Sequence, residues 1–158
     1  MGSKHSMALV TGLFCILTVC SSRSAYGAPS SDPCSLLTPA QISAVLGLNI
    51  AAGKPLGTKS CDWTAPGQPI GINTKKVTVT LLDEQGFAHA KMPVNFKGIT
   101  KISVSGIGDD VVYGTAAGLG TLSVKKGNSA FVVHVYGFPP DQIEGKEKTL
   151  ALEILSKL

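Results

Sequence analysis

The sequence predicts one α+β domain, an antiparallel sheet with helices packed on it in a compact sandwich. Three observations carry that expectation. Short runs that alternate apolar and polar residues recur at 77–81, 101–105 and 121–125, and 130–136 is a strand-length run apolar on both faces. Two stretches, 39–46 and 140–158, repeat their apolar residues at helical spacing. The 158 residues, less a removable leader, suit a single core of ordinary size.

The leader comes first in chain order. Lys4 and His5 precede an uncharged apolar run, Met7 to Cys20, and then a polar stretch of small residues, Ser21 to Gly27. This is the tripartite layout of a secretory signal peptide at 1–27. Cleavage after Gly27 places small residues, Ala25 and Gly27, at the two positions signal peptidase reads. The apolar run is too short for a transmembrane helix, which needs roughly 20 residues. Leu17-Thr18-Val19-Cys20 offers a second reading, a lipobox whose Cys20 is acylated, although Val19 departs from the small residue usual there. Either way the chain is exported, to the periplasm or outside the cell.

Maturation changes the charge. The formal +4 includes Lys4 and Arg23, and residues 1–27 hold no acid, so 12 basic side chains face 10 acidic ones beyond the leader. A net of +2 gives no electrostatic case for nucleic acid or anionic lipid. With 44% apolar residues the chain is not a disordered tail either.

Residues 28–33 read as a flexible Pro/Ser leader and 34–158 as the domain. Thr38 is placed as the N-cap of a helix, with Pro39 at its first position and Gln41 completing a capping box. Leu37 and Ile42 are spaced for a hydrophobic staple, and Gly47 for a left-handed stop. Residues 51–60 read as a loop and Cys61-Asp62-Trp63 as a short strand. Val77, Val79 and Leu81 alternate with threonines as a half-buried strand. Asp83 caps a short helix to Met92, with Phe87 and Ala90 inward. Ile102 and Val104 mark another strand, GIGDD at 106–110 a turn, and Val111–Tyr113 a short strand. GTAAGLG at 114–120 reads as a flexible connection. Leu122 and Val124 lead to a hairpin turn at Lys126-Gly127-Asn128. AFVVHVY at 130–136 is apolar on both faces and reads as a central strand covered on both sides. A last helix starts at Pro139-Pro140, with Ile143, Leu150, Ala151, Ile154, Leu155 and Leu158 as its stripe.

Two cysteines remain in the mature chain, Cys34 and Cys61, and in an exported protein they most simply pair. Their spacing is not the CxxC of redox motifs. A zinc site would need His89 and His134 as well.

Catalytic patterns are scarce. Asp109-Asp110 is an acid pair whose side chains, as sequence neighbours, point apart and suit a turn. His89 and His134 form no HExxH spacing, and Gly114–Gly120 matches no phosphate-binding loop. Lys75-Lys76 and Lys125-Lys126 read as edge-strand lysines that block unwanted pairing. No cofactor or metal is expected.

The run Asp32-Pro33-Cys34-Ser35-Leu36-Leu37-Thr38-Pro39-Ala40 to Leu46-Gly47, followed by Cys61-Asp62-Trp63, Gly106-Ile107-Gly108-Asp109 and Val124-Lys125-Lys126-Gly127, resembles a known family. It is similar to the small exported bacterial lipoproteins and sensor-like domains grouped as an actinobacterial-type domain of unknown function. The resemblance implies a Cys34–Cys61 disulfide and a compact sandwich related to the PsbP-like fold. It implies no reaction.

The expected function is therefore that of a non-enzymatic envelope protein binding a small ligand or a protein partner. It is expected to be a monomer that meets the membrane only through a lipid on Cys20. The expected site is a helix–sheet groove near Trp63, His134 and Tyr136, with Asp109, Asp110 and the 114–120 segment at its rim. The competing reading has those three residues simply fill the core. The alternatives are a small secreted hydrolase using His134 with Asp109 or Asp110, and a structural scaffold of the envelope.

Overall fold

The computed structural model describes residue 2 and residues 32–71, 73–93 and 99–158. The signal-peptide and lipidation readings, Cys20 included, fall outside the described residues, Gly2 excepted.

The fold is α+β, with one seven-stranded antiparallel sheet in the order β1-β2-β3-β7-β6-β5-β4. The strands are β1 (Lys54–Leu56), β2 (Ser60–Thr64), β3 (Lys76–Leu82), β4 (Ile99–Ser103), β5 (Asp110–Ala116), β6 (Leu119–Lys126) and β7 (Ser129–Tyr136). The helices are α1 (Pro39–Leu46), α2 (Glu84–Lys91) and α3 (Pro140–Leu155), after a 3-10 turn at Pro33–Ser35. Asp32 and Pro33, read above as leader, belong to that turn: Asp32 caps it and Pro33 is buried.

Local rules set α1 as expected. Thr38 accepts from the Gln41 N–H at 3.2 Å, Gln41 Oε1 accepts from the Thr38 N–H at 2.9 Å, and Gly47 closes the helix at φ 70°. Cys34 is disulfide-bonded to Cys61 across 27 residues, which ties the start of this segment to β2.

The sheet has two unlike faces. On the inner face Val77, Val79, Leu122, Val124, Phe131, Val133 and Val135 form one core with Ile42 and Leu46 of α1 and Ile143, Leu150 and Ile154 of α3. Trp63 belongs to this core. A side chain on Gly53 would place its first carbon 2.6 Å from Trp63 Nε1 and 2.8 Å from Cys61 Sγ, so the backbone packs directly on the indole and the disulfide. On the outer face α2 covers only part. Phe87 is buried there with Val112, Ala130 and Val132, outside the inner core. Ion pairs Lys125–Glu84 and Lys91–Asp110 tie α2 down.

Several expectations change. Residues 51–60 contain β1, an exposed edge strand bearing Pro55. Residues 114–120 are no flexible connection: Ala116 pairs with Leu119, and Ala117 and Gly118 turn the chain at φ 50° and 78° in a two-residue hairpin. β4 lies at 99–103, and Ile102 is 46% exposed because it stands on the outermost strand. β7 is central, but its two-sided cover stops after Val133; His134 and Tyr136 are half-buried. The lysine doublets lie at the ends of β3 and β6, which are interior strands. Lys76 pairs with Asp62 and Lys125 with Glu84, so they neutralise acids instead of guarding edges.

Candidate ligand site on the outer face of the sheet

Antiparallel register lines up one polar row on the outer face. Lys54, Asp62, Thr78 and His134 stand opposite one another on β1, β2, β3 and β7. Thr121, Gly114 and Lys101 continue the row on β6, β5 and β4. Thr121 Oγ1 lies 3.3 Å from His134 Nδ1 and joins the two halves. Because side chains alternate along a strand, every member points away from the inner core.

The row is linked at its β2–β3–β7 end. Asp62 accepts from the Thr78 hydroxyl at 2.5 Å and from Lys76 at 3.1 Å. Lys76 Nζ sits 4.8 Å above the Tyr136 ring, and the Tyr136 and His134 rings stack at 5.7 Å and 17°. Burial holds His134 below its usual pKa; a hydrogen bond to Gly120 backbone opposes this and Lys76 adds to it. The imidazole is therefore neutral at pH 7, with one nitrogen able to donate and one to accept. Burial likewise raises the Tyr136 phenol, so it stays protonated.

The residues expected to share one groove are divided by the register. His134 and Tyr136 lie together on the outer face. Trp63 pairs with Val77 and points into the inner core, 1% exposed. For Trp63 the core-filling reading is the correct one. Asp109 is a turn residue: its carboxylate accepts from the Gly127 N–H at 2.7 Å and its N–H donates to the Lys125 carbonyl at 2.8 Å. Asp110 pairs with Lys91 at the start of β5, four residues from the row position of Gly114. That is about 13 Å along the strand. The structure therefore brings neither acid to His134. The turn at 106–109 and the hairpin at 117–118 lie at opposite ends of β5 and do not rim one groove.

Glu147 is the residue the sequence reading passed over. It sits on the buried stripe of α3 between Ile143 and Leu150 and is 0% exposed. Oε1 accepts from the Val135 N–H at 2.9 Å, while Oε2 has no hydrogen-bond partner among the described residues. Burial pushes its pKa up to about 8; the Val135 N–H opposes the rise and Glu144 adds to it. Tyr113 faces it from β5, its phenol pushed up to about 12 by burial and by Glu147 and Glu144. A neutral carboxyl thus stands behind the strand whose outer side carries His134 and Tyr136. The signal was its place on the apolar stripe, at i+4 from Ile143 and i−3 from Leu150.

No family model, curated protein or solved structure matches this chain.

Proposed function

We propose that this chain is a non-enzymatic, exported protein of the bacterial envelope that binds a small ligand through the outer face of its sheet. The observation that carries the reading is the half-buried polar row centred on His134 and Thr121, with Tyr136 stacked beside His134, which α2 leaves uncovered. A face that exists only to be solvated has no need of a neutral, partly desolvated imidazole stacked on a tyrosine. The disulfide and the tripartite leader favour an oxidising compartment outside the cytoplasm. Kinship to the DPCxLLT-type lipoproteins, a PsbP-like relationship and a lipid on Cys20 belong to the same reading.

A protein partner is the second reading, because an open sheet face also suits docking. A hydrolase built on His134 has less support, since Asp109 and Asp110 are spent on a turn and on Lys91. Native mass spectrometry of protein isolated from its own host separates these outcomes. A mass increment from a small molecule is expected. A second polypeptide in its place favours the partner reading, and bare protein overturns both. The same spectrum reports whether Cys20 carries lipid.

A further inference from the structure

We propose that the cavity beside Gly114 on the outer face binds a small apolar monocarboxylate, its carboxylate held by Lys101. The proposal rests on the ligand-binding reading above and gives the ligand a chemical class.

The cavity has a volume of about 180 Å³ and lies where β4, β5 and β6 meet the end of α2. Val112, Gly114, Thr121, Ser123, Ala90 and Lys101 line it. It adjoins His134 through Thr121.

Gly114 lies inside β5. Glycine inside a strand weakens it and often marks a bulge, a bend or the close approach of another group. At Gly120 that group is the protein itself: a Cβ there would lie 2.5 Å from Tyr113 Oη and 2.6 Å from Ile143. Among the described residues no such group lies at Gly114. Its φ is not left-handed, and a Cβ would come no nearer than 3.7 Å, to Lys101 Cγ. The fold would accept a side chain that the sequence withholds, and the space withheld is the cavity.

Lys101 stands opposite Gly114 on β4. Its ammonium donates to the Ala90 carbonyl at 2.7 Å and the Met92 carbonyl at 2.8 Å. An ammonium has three N–H donors, so one remains. Among the described residues the lysines in ion pairs are Lys59, Lys76, Lys91, Lys125 and Lys148, and Lys101 is not one of them. A half-buried cation, fixed in place by two carbonyls and lacking an acid, is a preorganised anchor for an anion.

The walls choose the rest of the ligand. Val112, Ala90 and Ala116 offer apolar surface, and Ser123, Thr121 and Thr115 are the neutral polar residues of the lining. A single lysine balances one negative charge, which favours a carboxylate over a phosphate monoester. A dry cavity of about 150 Å³ accommodates benzene, so this one suits an aliphatic or aromatic acid of about six to eight carbons.

Calorimetric titration of the mature protein with octanoate and with octanamide tests the proposal. Octanoate should bind one to one, and the amide about tenfold more weakly or worse. Benzoate against benzamide then separates an aliphatic from an aromatic preference. Lys101→Met should erase the preference for the acid. That variant also removes two hydrogen bonds to α2, so Gly114→Leu is the decisive companion: it should fill the cavity and abolish binding with the melting temperature unchanged. Gly114→Ala should fold and still bind. Failure of both acids to bind, or undiminished binding by Gly114→Leu, overturns the proposal. If host-derived protein carries a small molecule while both acids fail, only the ligand class falls; if it is bare as well, the ligand-binding reading falls with it.

Discussion

The two faces of the sheet are built from the same strands and differ in almost everything else. The inner face is a continuous apolar core closed by α1, α3 and the Cys34–Cys61 disulfide. The outer face is polar along a row that crosses all the strands, and α2 seals only the side nearer Phe87. Strand alternation makes this division possible: one residue of each pair can serve stability while its neighbour is left free for recognition. β7 shows it most clearly. Val133 and Val135 are fully buried, while His134 and Tyr136 between and beyond them are not.

If the inner face holds the fold, truncating it should cost most. Trp63→Ala or Phe131→Ala is expected to lower stability by about 3–5 kcal/mol, read as a shift of the urea midpoint. A loss below about 1 kcal/mol would break the comparison at its strongest point.

Glu147 comes next, because it places a titratable group in the stable half. Its folded pKa, about 8, lies above its ordinary value of 4.5. The folded state therefore keeps a proton that the unfolded chain gives up first. This contribution is fully present below pH 4.5, falls as pH rises, and is gone above pH 8. The span is of order 5 kcal/mol. Unfolding at pH 5 and pH 8 should show that decline in the wild type and a much flatter profile in Glu147→Gln. An equal slope in both would mean that other groups carry it.

Removing the bridge with Cys34→Ser and Cys61→Ser together should cost about 3 kcal/mol from the loop it closes. The melting temperature in the presence and absence of reductant checks this, and only the wild type should respond.

The smallest effect on stability is expected from His134→Ala, about 1 kcal/mol or less, accompanied by weaker ligand binding through its contact with Thr121. A variant that unfolds easily yet still binds would place His134 with the structural residues and blur the two faces.

How far the sequence revealed this depends on the range of each interaction. The capping box of α1 and the alternation of β3 and β7 are local, and both are legible. β1 is not, because Lys54-Pro55-Leu56 has no strand pattern and is held only by pairing with β2. The hairpin at Ala117-Gly118 lacks an Asn-Gly signal, since an alanine takes the left-handed position. Sheet order is non-local, so the doublets Lys75-Lys76 and Lys125-Lys126 read as edge residues although β3 and β6 are interior. The site was half legible for the same reason. His134 and Tyr136 share a face by alternation alone, whereas the face of Trp63 depends on how β2 registers with β3. Lys101 joins the row only through the pairing of β4 with β5.

The division of labour between the faces is tested most directly by one amide shift map. Labelled protein would be titrated with a small-molecule extract of its host cell. Shifts should cluster on Gly114, Thr121, Ser123 and His134 while the amides of α1 and α3 hold still. Shifts confined to α1 and α3, or no shifts at all, would contradict the assignment of recognition to the outer face.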